Sequence, residues 1–312
     1  MMMHGTKKGL PMSRGFFVPH IKAKAYRGYE KSMGAGRMFR VKKALNHNTI
    51  IAISMTDNRE YLLIGKGLGF GRKVSERIEV PEGCTVYSLR EHTERGTAMD
   101  LVKDMDPIFL EIAEQVLKES ERIFGRIDWS ILFPMADHIA FAVRRIQNNE
   151  QISNPLTGDI RALFHMEYKT AECIRPILKE RLNVEIDEHE VGYIALHIHS
   201  AIEDENVALS MQIAQTVREC VQMVEAATGQ TIDMMSLSYN RLMNHVRYMA
   251  ARAVKGEKLK LNMNDYMFTK FPEAYELAAQ VCRHLETYLR QSLDEAEIGY
   301  LAMHIERVVQ KE

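Results

Sequence analysis

A stretch of twelve residues in this chain occurs twice. Asp187-Glu188-His189-Glu190-Val191-Gly192-Tyr193-Ile194-Ala195-Leu196-His197-Ile198 returns 107 positions later as Asp294-Glu295-Ala296-Glu297-Ile298-Gly299-Tyr300-Leu301-Ala302-Met303-His304-Ile305. That offset is too long for a solenoid repeat and about the length of one domain, so the chain carries a duplicated domain. The same step takes His138 onto His245, which spaces the two histidines of each copy 59 residues apart. Phe164 and Phe271, Tyr168 and Tyr275, and Leu178 and Leu285 match as well. The copies are therefore expected to align without a gap over most of their length, and 312 residues leave room for a third domain ahead of them.

Charge separates that front portion from the rest. Residues 1–37 hold eight Lys or Arg against Glu30, residues 38–80 hold eight against four acidic residues, and the remaining 232 are net −12. A basic front on an acidic body is suited to a polyanion such as nucleic acid. The four cysteines, Cys84, Cys173, Cys220 and Cys282, form neither a CxxC pair nor a regular framework and read as reduced core residues. No apolar run approaches a membrane span or a signal peptide, so a soluble cytoplasmic protein without membrane insertion is expected.

Residues 1–37 show no sustained apolar period and read as a disordered basic extension. They are either an arm that adds affinity for nucleic acid or residues ahead of a native start at Met33 or Met38. From residue 38 to 90, short β-rich runs at 39–45, 49–55, 61–64 and 84–89 alternate with turn clusters at Asn46-His47-Asn48 and Thr56-Asp57-Asn58-Arg59. A small antiparallel sheet follows, with a core thin enough that a second copy of itself would help to stabilise it. From about residue 94 the period is helical. Helices are expected at 107–124, over the stripe Leu132, Met135, Ile139, Ala142 and Ile146, at 167–182 and 188–202, with a turn at 154–159. In the second copy they are expected at 207–228, 239–254, 274–289 and 294–309. The fold class is thus multidomain: a small all-β antiparallel domain followed by two all-α helical bundles.

The run Gly65-Lys66-Gly67-Leu68-Gly69-Phe70-Gly71 is no phosphate loop, because no Lys-Ser/Thr pair and no helix follow it. On a sheet such glycines let one backbone approach another. With Lys42, Lys43, Lys66, Arg72 and Lys73 around Phe70, and Asn46 and Asn48 nearby, the mixture suits RNA: cations for phosphates, a ring for a base, amides for base edges. The bland alternative is a basic loop with a core Phe. The repeated histidines, His138, His197, His245 and His304, read as core residues, metal ligands or phosphoryl acceptors. Metal ligation is disfavoured, since His197 and His199 lie about 200° apart on a helix. A neutral imidazole is a competent nucleophile, and a phosphate on the edge of an apolar stripe would perturb an interface there. Arg144, Arg145, Arg247 and Arg252 follow on the same helices as a solvated basic face or as cations that receive the phosphoryl group. Asp137 precedes His138 but Asn244 precedes His245, so carboxylate orientation of the imidazole is expected in one copy only.

The chain resembles bacterial transcription antiterminators controlled by the sugar phosphotransferase system. Lys43-Ala44-Leu45-Asn46-His47-Asn48 and Ile64-Gly65-Lys66-Gly67-Leu68-Gly69-Phe70 resemble the co-antiterminator RNA-binding domain. Asp137-His138-Ile139-Ala140-Phe141-Ala142, Gly192-Tyr193-Ile194-Ala195-Leu196-His197-Ile198, Arg241-Leu242-Met243-Asn244-His245 and Gly299-Tyr300-Leu301-Ala302-Met303-His304-Ile305 resemble the regulation domains. The form is most similar to the branch that controls a glucose permease operon. The resemblance implies an RNA-binding domain at 38–93 and regulation domains at 94–204 and 205–312, and the basic extension at 1–37 lies outside it. It implies a homodimer that binds a leader-mRNA hairpin and stops a terminator from forming. It further implies phosphorylation by the permease's enzyme IIB component in the first regulation domain and by the phosphocarrier HPr in the second. By the same resemblance Lys43, Asn46, Asn48, Gly65, Lys66 and Phe70 contact RNA and His138, His197, His245 and His304 accept phosphate. No cofactor, metal or catalytic residue is implied. His47 stands where the family often has Asn, and Lys66 where Arg is common. Two rivals are a metal-dependent hydrolase with the histidines as ligands, and a DNA-binding activator, which would need a helix-turn-helix that residues 38–90 do not offer.

Overall fold

The computed structural model describes residues 36–89, 105–150, 152–203, 206–233 and 236–310, with strand assignments also at 32–33, 92–93 and 96–97. The basic front forms one antiparallel sheet from β1 (Ser32–Met33), β2 (Met38–Ala44), β3 (Thr49–Ser54), β4 (Glu60–Ile64), β5 (Arg77–Glu79) and β6 (Thr85–Ser88). Their order is β1-β6-β4-β3-β2-β5. Both faces of this sheet are apolar, because side chains alternate along a strand and the central strands bury nearly every one. Phe39, Val41, Ile50, Ala52, Leu63 and Val86 fill one face under the loop residues Leu68, Val80 and Cys84. Ile51, Leu62 and Tyr87 stand in one cross-strand row on the other face and, with Ile64 and Leu89, belong to the core of the helical part. A two-residue pair, β7 (His92–Thr93) with β8 (Gly96–Thr97), follows.

The first helical copy comprises α1 (Pro107–Phe124), a 3₁₀ turn (Trp129–Ile131), α2 (Leu132–Gln147), α3 (Thr157–Leu163), α4 (His165–Ala171), α5 (Ile174–Leu182) and α6 (Glu188–Ile202). The second comprises α7 (Val207–Thr228), α8 (Leu237–Lys255), α9 (Asn264–Lys270), α10 (Pro272–Leu289) and α11 (Ala296–Val309). Asp106, Asp187, Asn206 and Ser236 begin their helices by accepting from backbone amides of the first turn, and Gly229 and Gly256 end theirs in the left-handed region. In each copy the helix that carries the first histidine packs beside the helix that carries the second, α2 against α6 and α8 against α11.

Several expectations need correction. Residues 96–97, expected to be helical, form a strand that pairs with 92–93, Ser32–Met33 pair with β6 although the extension was expected to be disordered, and β5 was not foreseen. The expected turn at 154–159 already contains the start of α3, whose counterpart α9 repeats it 107 residues later. The copies leave the 107-residue register at the end of their first helices, where Gly125 and Gly229 lie 104 residues apart, and differ again further on, where residues 165–182 form two helices and 272–289 form one. Pro176 causes this second difference, since its ring lacks the N–H that would bond the Glu172 carbonyl and crowds that oxygen, whereas Arg283 holds the matching position in α10. Apart from residues 32–33 and 36–37, the extension lies outside the described residues.

Candidate functional sites

The turn between β2 and β3 lies directly on the glycine loop. Asn46 Oδ1 accepts from the amides of Asn48 and Thr49, both at 2.8 Å, which shapes the turn. Asn48 Oδ1 accepts from the Gly67 amide at 2.9 Å, its carbonyl from the Gly65 amide at 2.9 Å, and the His47 carbonyl from Gly69 at 2.9 Å. A Cβ at residue 69 would stand 2.1 Å from the Asn46 carbonyl oxygen, so only glycine permits this approach. The result presents Phe70 to solvent, 70% exposed, with its ring edge-on to His47 at 5.3 Å. Lys43 and Lys66 flank it and are exposed. Phe70 is therefore no core residue, and Lys43, Asn46, Asn48, Gly65, Lys66 and Phe70 lie at one end of the sheet, where β2, β3 and β4 meet their connecting loops. An exposed ring between cations can stack on an unpaired base while the lysines meet phosphates.

The four histidines form two pairs. His138 on α2 faces His197 on α6 with ring centroids 5.4 Å apart, and His245 on α8 faces His304 on α11 at 4.8 Å. Each pair includes a carboxylate that sequence reasoning did not join to it, and a guanidinium already named as a candidate cation. Glu190 accepts from His138 Nε2 at 3.1 Å and also from Arg145. Its counterpart Glu297 accepts from Arg252 through both oxygens, at 2.7 and 2.9 Å, and lies 3.6 Å from His245 Nε2. Heptad spacing explains the convergence: His138 and Arg145 lie two turns apart on α2, as do Glu190 and His197 on α6. Both copies thus own a carboxylate, but only Glu190 hydrogen-bonds its histidine, since His245 Nε2 has no hydrogen-bond partner among the described residues; orientation is confined to one copy, as expected, through Glu190. The signal was in the sequence, since Glu190 and Arg145 recur at the same offset as the histidines. Glu190 was hidden because it stands three residues after the cap Asp187, where a Glu ordinarily serves the helix start.

A carboxylate at Nε2 fixes the tautomer of His138 and leaves Nδ1 as its basic nitrogen. His197 is buried, 7% exposed, rather than at a stripe edge, and its Nδ1 has no partner among the described residues. Burial, with His138 contributing, pushes its pKa down to about 3. Burial holds His245 at about 3, with His304 and Arg252 contributing, and His304 at about 4, with Arg307 and Arg241 contributing. The imidazoles of His197, His245 and His304 are therefore neutral and nucleophilic at pH 7. Of the four arginines expected there, Arg144 is exposed and Arg247 stacks over Tyr248 at 4.7 Å, whereas Arg145 and Arg252 bond the carboxylates of the pairs. Among the described residues, no group of three or more His, Cys, Asp or Glu is arranged to hold a metal. No helix among them is long and apolar enough to cross a membrane.

Comparison with known proteins gives both sites a family. Residues 110–201 and 218–308 each match the PRD domain, and residues 39–95 match the CAT RNA binding domain. A GlcT protein of Staphylococcus haemolyticus is 30% identical over 271 residues, covering 86% of this chain and 95% of that protein. The glcA/glcB genes antiterminator of Staphylococcus carnosus is 27% identical over 280 residues, covering 87% and 96%. A crystal structure of GlcT CAT-PRDI is 32% identical, covers 53% of this chain and 98% of its own, and superposes with a TM-score of 0.46. With an RNA-binding sheet ahead of two copies of the PRD domain, the chain belongs to the GlcT-type family of transcription antiterminators regulated through the phosphotransferase system.

Proposed function

We propose that this chain is an antiterminator of a glucose phosphotransferase operon that binds a leader-mRNA hairpin as a homodimer and so prevents a terminator from forming. Its working parts are the RNA-binding domain at 38–93 and the regulation domains at 94–204 and 205–312. Phe70 stacks on an unpaired base, Lys43 and Lys66 meet phosphates, Asn46 and Asn48 read base edges, and Gly65 lets the loop approach the turn. His138, His197, His245 and His304 accept phosphoryl groups, the first two from an enzyme IIB component and the second two from HPr. The chain performs no turnover of its own and resides in the cytoplasm.

The observation that carries this reading is the duplicated His–His–Glu–Arg arrangement in a chain that also presents the Phe70 loop. A phosphoryl group adds about two negative charges at neutral pH. Beside Glu190 those charges repel the carboxylate and compete with it for Arg145, so the contact between α2 and α6 must rearrange. That rearrangement gives phosphorylation a means to shift the population of the RNA-binding dimer. The test is a gel-shift titration of the full chain against leader hairpins, beside Phe70→Ala and Asn48→Ala. Hairpin-selective binding that both variants lose supports the reading; preference for duplex DNA refutes it.

A further inference from the structure

Helix α1 reaches across to the RNA-reading turn through one buried side chain. Glu111, 5% exposed, accepts from Asn46 Nδ2 at 2.7 Å, Asn48 Nδ2 at 3.0 Å and Thr49 Oγ1 at 3.4 Å. Arg181 from α5 fixes the carboxylate at 2.6 Å. Within the turn, the amide oxygens of both asparagines are already taken by backbone N–H groups. Their NH₂ groups are the donors left for a base, and each gives one N–H to Glu111. Burial alone would raise the Glu111 pKa, but hydrogen bonds from Arg181, Asn48 and Asn46 bring it below the usual value, so it is ionised at neutral pH.

We propose that Glu111, seated by Arg181, is an internal competitor of RNA: it occupies the base-reading donors of Asn46 and Asn48 and holds the sheet on the first regulation domain in a closed, low-affinity state. This rests on the RNA-reading role given to those asparagines above. Two further observations support it. The duplication supplies a control at Arg181, because Tyr288 stands at its place in the second copy. The pair therefore belongs to the copy that adjoins the sheet and not to the helical design in general. The closure also extends beyond Glu111: the Tyr87 ring lies 6.1 Å from Trp129 and 6.3 Å from Phe133, and its hydroxyl donates to Glu114 at 3.4 Å. Ile51, Leu62, Ile64 and Leu89 are buried on the same side. While this seat is closed, a second copy cannot use that apolar face. Phe133 lies on α2, the helix that carries His138, so a change at the histidine pair has a short route to the seat. Lys43, Lys66 and Phe70 remain exposed, which lets RNA engage before it displaces Glu111.

The test uses the full chain, a labelled leader hairpin and two readouts: hairpin affinity by fluorescence anisotropy, and emission of Trp129, the chain's one tryptophan. If the closed state dominates by about tenfold, Glu111→Ala and Arg181→Ala should each tighten hairpin binding by about that factor, since apparent affinity scales with the competent fraction. Trp129 emission should shift red in both variants without RNA, and in the unaltered chain when hairpin is added. Arg181→Ala, at a partly exposed side chain, serves as the milder variant should Glu111→Ala fold poorly. Unchanged affinity in these variants, with Asn48→Ala still abolishing binding, overturns the competitor and leaves the RNA reading intact. Full affinity in Asn48→Ala overturns the RNA reading and the competitor with it, whatever Trp129 reports.

Discussion

Mild acid should weaken the helical domains well before carboxylates titrate. Burial holds His197 and His245 at a pKa of about 3 in the folded chain, against about 6.5 when unfolded. The unfolded state therefore binds protons that the folded state refuses, and stability present above pH 6.5 is lost as pH falls toward 3. From pH 7 to pH 5 each of these two histidines removes about 2 kcal/mol, or about 4 kcal/mol together at most. His304, held at about 4, adds a smaller share because solvent reaches it. Glu111 and Glu167 are also held low by their partners, but their effect begins below about pH 4.5, outside the window. Urea titrations followed by circular dichroism at the two pH values measure the loss. His197→Gln, which removes the titrating ring, should reduce that loss by about 2 kcal/mol, and His197→Gln with His245→Gln by about twice as much. An undiminished loss in the double variant would show that these rings are not the neutral, buried groups described here.

Three more substitutions separate the sites. Phe70→Ala should leave the urea midpoint within about 0.5 kcal/mol, because the ring is exposed, yet cost about 1–3 kcal/mol in hairpin binding; a large stability loss would place the ring in a core. Gly69→Ala should destabilise the sheet by about 1–3 kcal/mol because its Cβ meets the Asn46 carbonyl, and an unchanged melting curve would mean that the turn does not rest on the loop. Glu297→Ala should cost about 3 kcal/mol by leaving Arg252 without its carboxylate. A cost below about 0.5 kcal/mol in urea unfolding, the range of a surface substitution, would mean that the pair is solvated.

Much of the fold was legible because its signals are local. Helices α1, α6 and α7 were expected at 107–124, 188–202 and 207–228, where apolar spacing is regular and a capping Asp or Asn precedes the first turn. The seven-residue α3 and α9 and the three-residue β5 are too short to establish a period. The Pro176 break could have been read from that residue alone, but the duplication suggested an unbroken helix there. At the sites, the histidines stood out because they recur, and the Phe70 loop because cations and glycines gather around one ring. Glu190, Glu297 and Glu111 did not stand out. Their partners lie 45 to 70 residues away along the chain, and only packing brings them together.

The central claim is that RNA recognition by the Phe70 and asparagine loop changes what polymerase does at a terminator. Single-round transcription through a leader terminator, with the full chain added, measures this directly. Read-through should rise with protein concentration, fall back to the protein-free level with Asn48→Ala, and disappear when the leader hairpin is mutated. Read-through that never rises, or that persists in Asn48→Ala, would contradict the account.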